Sequence, residues 1–255
     1  MIFNIGLKLW SVNTDHYFEE AKKLYKEKIF SYIELYVLPN SLKTIDKWKT
    51  INIPINIHCP HFMHGFNLAE AAKHEQNYNV YKEVKMFADE LDSEYIIFHG
   101  GIDGKLEETA MQLKSFNEKR AVIENKPRKP MPFVDGKICR GSMIEEIEYI
   151  IKETGCGFCL DIGHAICSAN SQKIDIWKYI EEFNKLNPKV YHLTDLYDIN
   201  SEYDSHAHFS QNHIDMNKLF TIINNSKYVT IETEKNNHSN LNDFKEDVKC
   251  IKKFY

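Results

Sequence analysis

The sequence predicts a single (β/α)₈ barrel of the TIM type. Three observations predict it. Short apolar runs alternate with longer amphipathic segments about every 32 residues, as repeated βα units do. Eight such runs fit into 255 residues, the usual size of one barrel. No Gly/Ser- or Pro-rich linker divides the chain, so residues 1–255 are expected to form one domain.

The strand candidates are 2–10, 32–36, 53–58, 95–99, 120–124, 157–161, 189–193 and 228–232. Four helical segments between them carry local signals. Asp15 to Lys28 has an apolar stripe of Phe18, Ala21, Leu24 and Tyr25, with Thr14 as the expected N-cap. Residues 68–92 read as one long helix. Ser142 followed three residues later by Glu145 forms a capping-box pattern that opens a helix over 142–154. Asp243 to Lys253 closes the chain. The competing architecture, an open doubly wound sheet, needs a Gly-rich turn after its first strand, and KLWSVNTD has none.

Bulk properties exclude several classes. A hydrophobic share of 43% and a charged share of 27% are those of an ordinary water-soluble chain, which can build a core without disulfides. The net charge of -5 disfavours a surface built mainly for nucleic acid, although 32 Lys and Arg leave room for a basic rim. MIFNIGLKLW is too short and too polar for a secretory signal, and no apolar run is long enough to cross a bilayer, so a cytoplasmic protein without a membrane partner is expected. The six cysteines are then expected to stay reduced. Cys156 and Cys159 form a C-x-x-C, but inside the strand-like run GCGFCLDI. A redox pair normally opens a helix, so structural thiols are the expectation.

The strand ends carry the chemistry. The second strand holds Glu34. The third ends at His58, followed by Cys59-Pro60-His61, and the fourth at His99 before two glycines. The fifth ends at Glu124, and the sixth at Asp161 with His164 three residues on. The seventh carries His192, then Asp195, with Asp204-Ser205-His206 in the following loop, and the eighth ends at Glu232. One His or one carboxylate at a strand end is ordinary. Seven successive strands that each break into such a residue pool their side chains at the barrel mouth, where active sites of this fold lie. Bare carboxylates in one cavity repel each other, and a bound dication removes the repulsion. Carboxylate plus imidazole, without thiolate, suits Mn²⁺, Co²⁺, Zn²⁺, Mg²⁺ or Fe²⁺, and disfavours Ca²⁺ and a structural thiolate zinc.

AVIENKP, GFCLDIGHA, VYHLTD, DSHAHF and VTIETE, with the earlier IHCPH and IIFHGG, resemble the xylose isomerase-like TIM barrels. That superfamily joins sugar isomerases and epimerases with the endonuclease IV type of apurinic-site nuclease. The resemblance spans nearly the whole chain. It implies a shared four-ligand metal site at Glu124, Asp161, His192 and Glu232. It makes His164 a substrate-binding or metal-binding residue, and His58, His99, Asp204 and His206 possible ligands of further metals, as in the nucleases. Three departures matter, two from the nuclease branch and one from both branches. Ser210 to Asp215 lacks the usual Gly-rich stretch, His61 replaces the usual Tyr, and the Pro-rich segment 126–141 matches neither branch and is expected to form a lid or pocket wall.

The leading expectation is therefore a metal-dependent isomerase or epimerase of a sugar or sugar phosphate. Glu124 and Glu232 would exchange a proton at the carbon next to a metal-polarised carbonyl through an enediolate. Glu34, His61, His99 and His164 would line the substrate pocket. Lys126, Arg128, Lys129 and Arg140 are candidates for pairing with a phosphate, against the plainer reading of a solvated basic loop. The alternative is an apurinic-site phosphodiesterase with up to three metals. A third reading is another carbanion enzyme, such as a dehydratase, or a sugar-acid binding protein. Trp10, Phe62, Met63 and Phe66 could wall a sugar face or simply pack. If exposed, the loop that holds the last three is a candidate homodimer contact.

Overall fold

Eight parallel strands close on themselves in sequence order, and the last pairs with the first. The computed structural model describes residues 3–223, 226 and 228–254, so Ile2, assigned above to the first strand, lies outside the described residues. The strands are β1 (Asn4–Trp10), β2 (Tyr32–Tyr36), β3 (Ile55–His58), β4 (Ile96–His99), β5 (Ala121–Glu124), β6 (Gly157–Asp161), β7 (Val190–Leu193) and β8 (Tyr228–Ile231). The helices around them are α1 (His16–Lys26), α2 (Ile45–Lys49), α3 (His74–Glu90), α4 (Leu106–Ser115), α5 (Ile144–Thr154), α6 (Ile162–Gln172), α7 (Ile176–Asn184), α8 (Met216–Ile222) and α9 (Asn242–Ile251).

The period of two along each strand sorts the side chains into two layers. Ile33, Leu35, Ile57, Phe98, Ile123, Leu160 and Ile231 face outward and join Phe18, Trp48, Phe87, Ile147, Phe183 and Val248 of the helices in the main core. The alternate positions face inward. Tyr32, Tyr95, Ile97, Val122, Cys159 and Val190, with Tyr228 against them, plug the lower barrel. Gly6 on β1 makes room for this plug, because a β-carbon there would lie 2.4 Å from Cζ of Tyr32. The Tyr32 hydroxyl lies 2.8 Å from Oγ1 of Thr230, which in turn donates to Glu34 Oε2 at 2.9 Å. Tyr32→Phe is expected to lower stability by only about 0.5–1.5 kcal/mol in urea unfolding, because Thr230 keeps its bond to Glu34. A larger loss would mean that the plug is held by that hydroxyl rather than by packing.

The helix ends depart from expectation in instructive ways. The segment 68–92 does not form one helix. Asn67 Oδ1 accepts from the backbone N–H of Ala69 and Ile102, which ties the chain to the loop after β4 and delays α3 to His74 after a short 3₁₀ turn. Thr14 does not cap α1. Asp15 stands at the cap position and makes no side-chain cap bond. The Ser142–Glu145 box does not form either. Its work falls to Glu146, whose Oε2 accepts from the N–H of Gly141 at 2.9 Å and of Ser142 at 3.0 Å, and α5 begins at Ile144. Among the described residues, no helix is long and apolar enough to cross a membrane.

Candidate metal centre

Strand parity carries the chemical side chains to one place. Lys8, Glu34, His58, His99, Glu124, Asp161, His192 and Glu232 all occupy inward positions. The register sets Lys8 beside Glu34, His99 beside Glu124, and Asp161 beside His192. Above them opens a cavity of about 550 Å³, lined among others by Trp10, Tyr36, His61, Lys126, His164, Asp204, His206 and Lys235.

Three of the four expected ligands face one atom of the fourth. Nδ1 of His192 lies 3.0 Å from Glu232 Oε1, 3.5 Å from Glu124 Oε2 and 3.9 Å from Asp161 Oδ2. These are ion-pair distances, yet that nitrogen is buried and makes no hydrogen bond with any described residue. An orphaned imidazole nitrogen facing three carboxylates fits a divalent cation well, since a buried polar atom is otherwise almost always satisfied. Nε2 of the same ring is held 3.1 Å from Glu34 Oε2, the outer partner that orients a ligating imidazole.

Two further groupings flank this point. His58 Nε2 and His99 Nε2 lie 3.0 and 3.2 Å from Glu124 Oε2, and the three residues bring donor atoms within 4.8 Å of one another. On the other side, Asp204 Oδ2 lies 3.2 Å from His164 Nε2 and 3.2 Å from His206 Nε2. Among the described residues, Glu34, His58, His192 and Glu232 form another close donor set, as do Glu124, Cys159 and His192, and Glu124, Asp161 and His164. Asp204 Oδ1, His99 Nδ1 and His206 Nδ1 are also buried without hydrogen bonds.

The electrostatics are those of a crowded anionic pocket. Burial, reinforced by Glu124, Glu232 and Asp204 and opposed by His164, pushes Asp161 up to about 6. Burial alone would raise Glu34, but His192 and Lys8 overcome it and hold the carboxyl at about 2. Burial would lower His164 and His206, but Asp161 and Asp204 raise the first to about 10, and Asp204 raises the second to about 9. His99 goes the other way. Burial and the nearby Lys126 outweigh Glu124 and bring it to about 3.

Several expected pocket residues sit elsewhere. Glu34 is fully buried beneath the cavity, bound to Lys8, Tyr95, Thr230 and His192, so it supports the floor rather than lining the pocket. Asp195 is a clamp. Its carboxylate accepts from the N–H of Leu196, His213 and Ile214, which fixes the long loop that presents Asp204 and His206. Of the four basic candidates only Lys126 lines the cavity. Arg128 contacts Met143, Lys129 pairs with Glu202, and Arg140 binds Glu146 and the carbonyls of Asp103 and Gly104. Beyond Lys126, no residue of the segment 126–141 lines the main cavity. It pairs with the loop after β4 through Ile102 and Cys139, and its Phe133 and Val134 line a separate hollow with Phe62 and Met63. Phe66 is buried in the core, while Trp10 does line the main cavity. Cys156 and Cys159 are both free thiols, one just before and one within β6, and burial raises both pKa values.

Sequence reasoning missed two lysines. Lys8 Nζ lies 2.7 Å from Glu34 Oε1 and 2.6 Å from Glu232 Oε1. Burial works against its charge, but these carboxylates raise its pKa. Its signal was parity, since in GLKLW the leucines face outward and Lys8 therefore faces in. Lys235 lies past the last strand, where no periodic pattern reaches.

The family described as xylose isomerase-like TIM barrel matches residues 30–254, and the chain belongs to it. Solved structures share the fold at low identity. A D-tagatose 3-epimerase-like protein is 18% identical, with 97% of this chain and 96% of that chain covered and a TM-score of 0.66. Endonuclease IV from Thermus thermophilus is 16% identical, with 98% and 99% covered and a TM-score of 0.64. A further Thermus thermophilus protein, soaked with ZnCl₂, is 15% identical, with 96% and 97% covered and a TM-score of 0.64. No curated protein matches the chain.

Proposed function

We propose that the chain is an isomerase or epimerase of a sugar or sugar phosphate that uses one divalent metal held by Glu124, Asp161, His192 and Glu232. The observation that carries this reading is the ammonium already inside the ligand cluster. Lys126 Nζ lies 3.4 Å from Glu124 Oε1 and 3.3 Å from His164 Nε2, between the two flanking groupings. Glu34, Glu124, Asp161, Asp204 and Glu232 face Lys8, Lys126 and Lys235. With the raised imidazoles of His164 and His206 counted, the cationic side chains already offset these carboxylates, so three dications would leave a far larger positive excess in the cavity than one.

The dication would supply Lewis acidity toward a carbonyl and its neighbouring hydroxyl. The protein's own groups supply the rest. Glu124 enters from β5 and Glu232 from just past β8, so two carboxylates reach the substrate from different sides. One removes the proton next to the carbonyl, and the other returns it. Lys8 fixes Glu232 from below. His164, held at Nδ1 by the Asn125 carbonyl at 2.9 Å, lines the pocket with its Nε2 3.2 Å from Asp204 Oδ2, so a substrate hydroxyl reaching that nitrogen would share it with Asp204. His61 and Trp10 line the side of the pocket.

Elemental analysis is expected to find about one metal per chain. Chelation is expected to lower the melting temperature, because a ligand at 100 times its Kd stabilises the folded state by about 2.7 kcal/mol. Incubation with ketoses and sugar phosphates in D₂O is expected to wash deuterium into the carbon next to the carbonyl. About three metals per chain, with no exchange across a broad panel, would sink the reading.

A second reading, a phosphodiesterase acting at abasic sites in DNA, draws support from the flanking groupings of His58 with His99 and of Asp204 with His164 and His206. It expects about three metals and incision of abasic duplex DNA, with steep salt dependence.

A further inference from the structure

The segment after β8 is anchored at Thr233, Glu234, Asn236 and Asn237. Thr233 Oγ1 donates to Asp247 Oδ2 at 2.6 Å, and the N–H of Glu234 donates to the carbonyl of His206 at 2.8 Å. The N–H of Asn236 donates to Asp243 Oδ2 at 3.2 Å, and its side-chain amide lies 2.9 Å from His208 Nε2. The carbonyl of Asn237 accepts from the Tyr17 hydroxyl at 2.8 Å. Asp247 ties this strut to the neighbouring loop, since it also accepts from His208 Nδ1 at 2.8 Å and from the N–H of Phe209 at 3.1 Å.

Between these anchors stands Lys235. It is partly buried, lines the cavity, and makes no hydrogen bond or ion pair with any described residue. Of the carboxylates, Glu232 acts on it most strongly, but Glu232 already holds Lys8 at 2.6 Å and is a ligand in the metal-bound state proposed above. A cation kept in a shielded cavity without a counter-ion is costly unless a ligand supplies one. The rigid strut lowers the ordering cost of meeting that ligand.

We infer that Lys235 recognises an oxyanion carried by the substrate, a phosphomonoester or a carboxylate at the end of the sugar away from the reacting carbon. This rests on the sugar reading above and narrows it to anionic sugars. It also relocates anion recognition from the strand-five loop, where Lys126 is committed to Glu124 and His164, to the strut after β8.

The test is calorimetric titration of the metal-loaded protein with three probes: inorganic phosphate, gluconate and fructose. The first two separate a phosphate site from a carboxylate site, and fructose reports the neutral part of the pocket. Either phosphate or gluconate is expected to bind, and Lys235→Met is expected to weaken that anion at least tenfold while leaving fructose affinity within about twofold. Lys129→Met, which removes a surface partner of Glu202, serves as the control and is expected to change neither. Because Lys235 makes no hydrogen bond or ion pair with any described residue, the variant is expected to melt with the wild type. Equal anion affinity in wild type and Lys235→Met overturns the inference, as does absence of anion binding in the wild type. If deuterium still exchanges into neutral ketoses while the anion result fails, only the subsite falls. If no sugar exchanges and about three metals are found, the sugar reading falls, and with it the assignment of the anion to a sugar.

Discussion

Glu232→Gln is expected to slow proton exchange by about 10²–10⁴-fold, the usual worth of a positioned acid or base, and to weaken metal binding in the same protein. The two effects share a cause. The Glu232 carboxylate lies 3.0 Å from the orphaned Nδ1 of His192, so it is placed both to share a cation and to take a proton. Gln keeps the volume and an oxygen that can still accept from Lys8, so the metal-free fold is expected to survive. The variant removes the negative charge and the basic lone pair, and little else. Deuterium wash-in, metal titration and melting in chelator separate these contributions. Unchanged exchange would remove Glu232 from the chemistry. A large drop in metal-free melting temperature would assign it to the fold instead.

How far the sequence reveals such a site depends on which physical signal each residue carries. The barrel was legible because apolar runs must recur for each strand to bury two faces, and all eight predicted strands overlap the observed ones. The rim residues were legible because His and carboxylates interrupt those runs. Glu34 and Lys8 show the limit of that signal. Reading strand ends found Glu34 but put it at the mouth, whereas parity puts it inside, beneath His192. Lys8 looked like a polar break in an apolar strand, and only the closed barrel sets it against a residue 224 positions away. Asp195 has the residue type of a ligand, yet it spends both oxygens on backbone N–H groups, a role that depends on the path of a loop. Helix starts failed for a similar reason. Glu145 and Glu146 are equally good partners in a local pattern, and the approach of Gly141 and Ser142 decides for Glu146. Residues recruited by a loop or by a distant strand leave no local period, and Lys235 is the clearest of them.

Lys8→Met is expected to cost about 3–5 kcal/mol in the chelated protein at neutral pH, the usual penalty for removing one partner of a buried ion pair. Lys8 is 8% exposed, and its Nζ bridges Glu34 and Glu232. Met fills much the same space, so the loss is one of charge rather than packing. Glu34 suffers most, because it is fully buried and keeps only His192, Tyr95 and Thr230. The pH dependence follows from the direction of its shift. Glu34 is held at about 2 in the folded protein against an ordinary value of 4.5, so its contribution is present above 4.5 and fades as the pH falls toward 2. Without Lys8 the folded pKa rises, and the variant has less of this contribution to lose. The gap between wild type and variant is therefore expected to be widest near neutrality and to narrow as the pH drops below about 4.5. Metal should narrow it as well, because a dication beside Glu232 restores positive charge to the pair that Lys8 leaves behind. Urea unfolding of both proteins, with and without chelator, reads all three effects. A gap that ignores both pH and metal would mean that Lys8 acts as packing, and the charge balance on which the one-metal reading rests would fail with it.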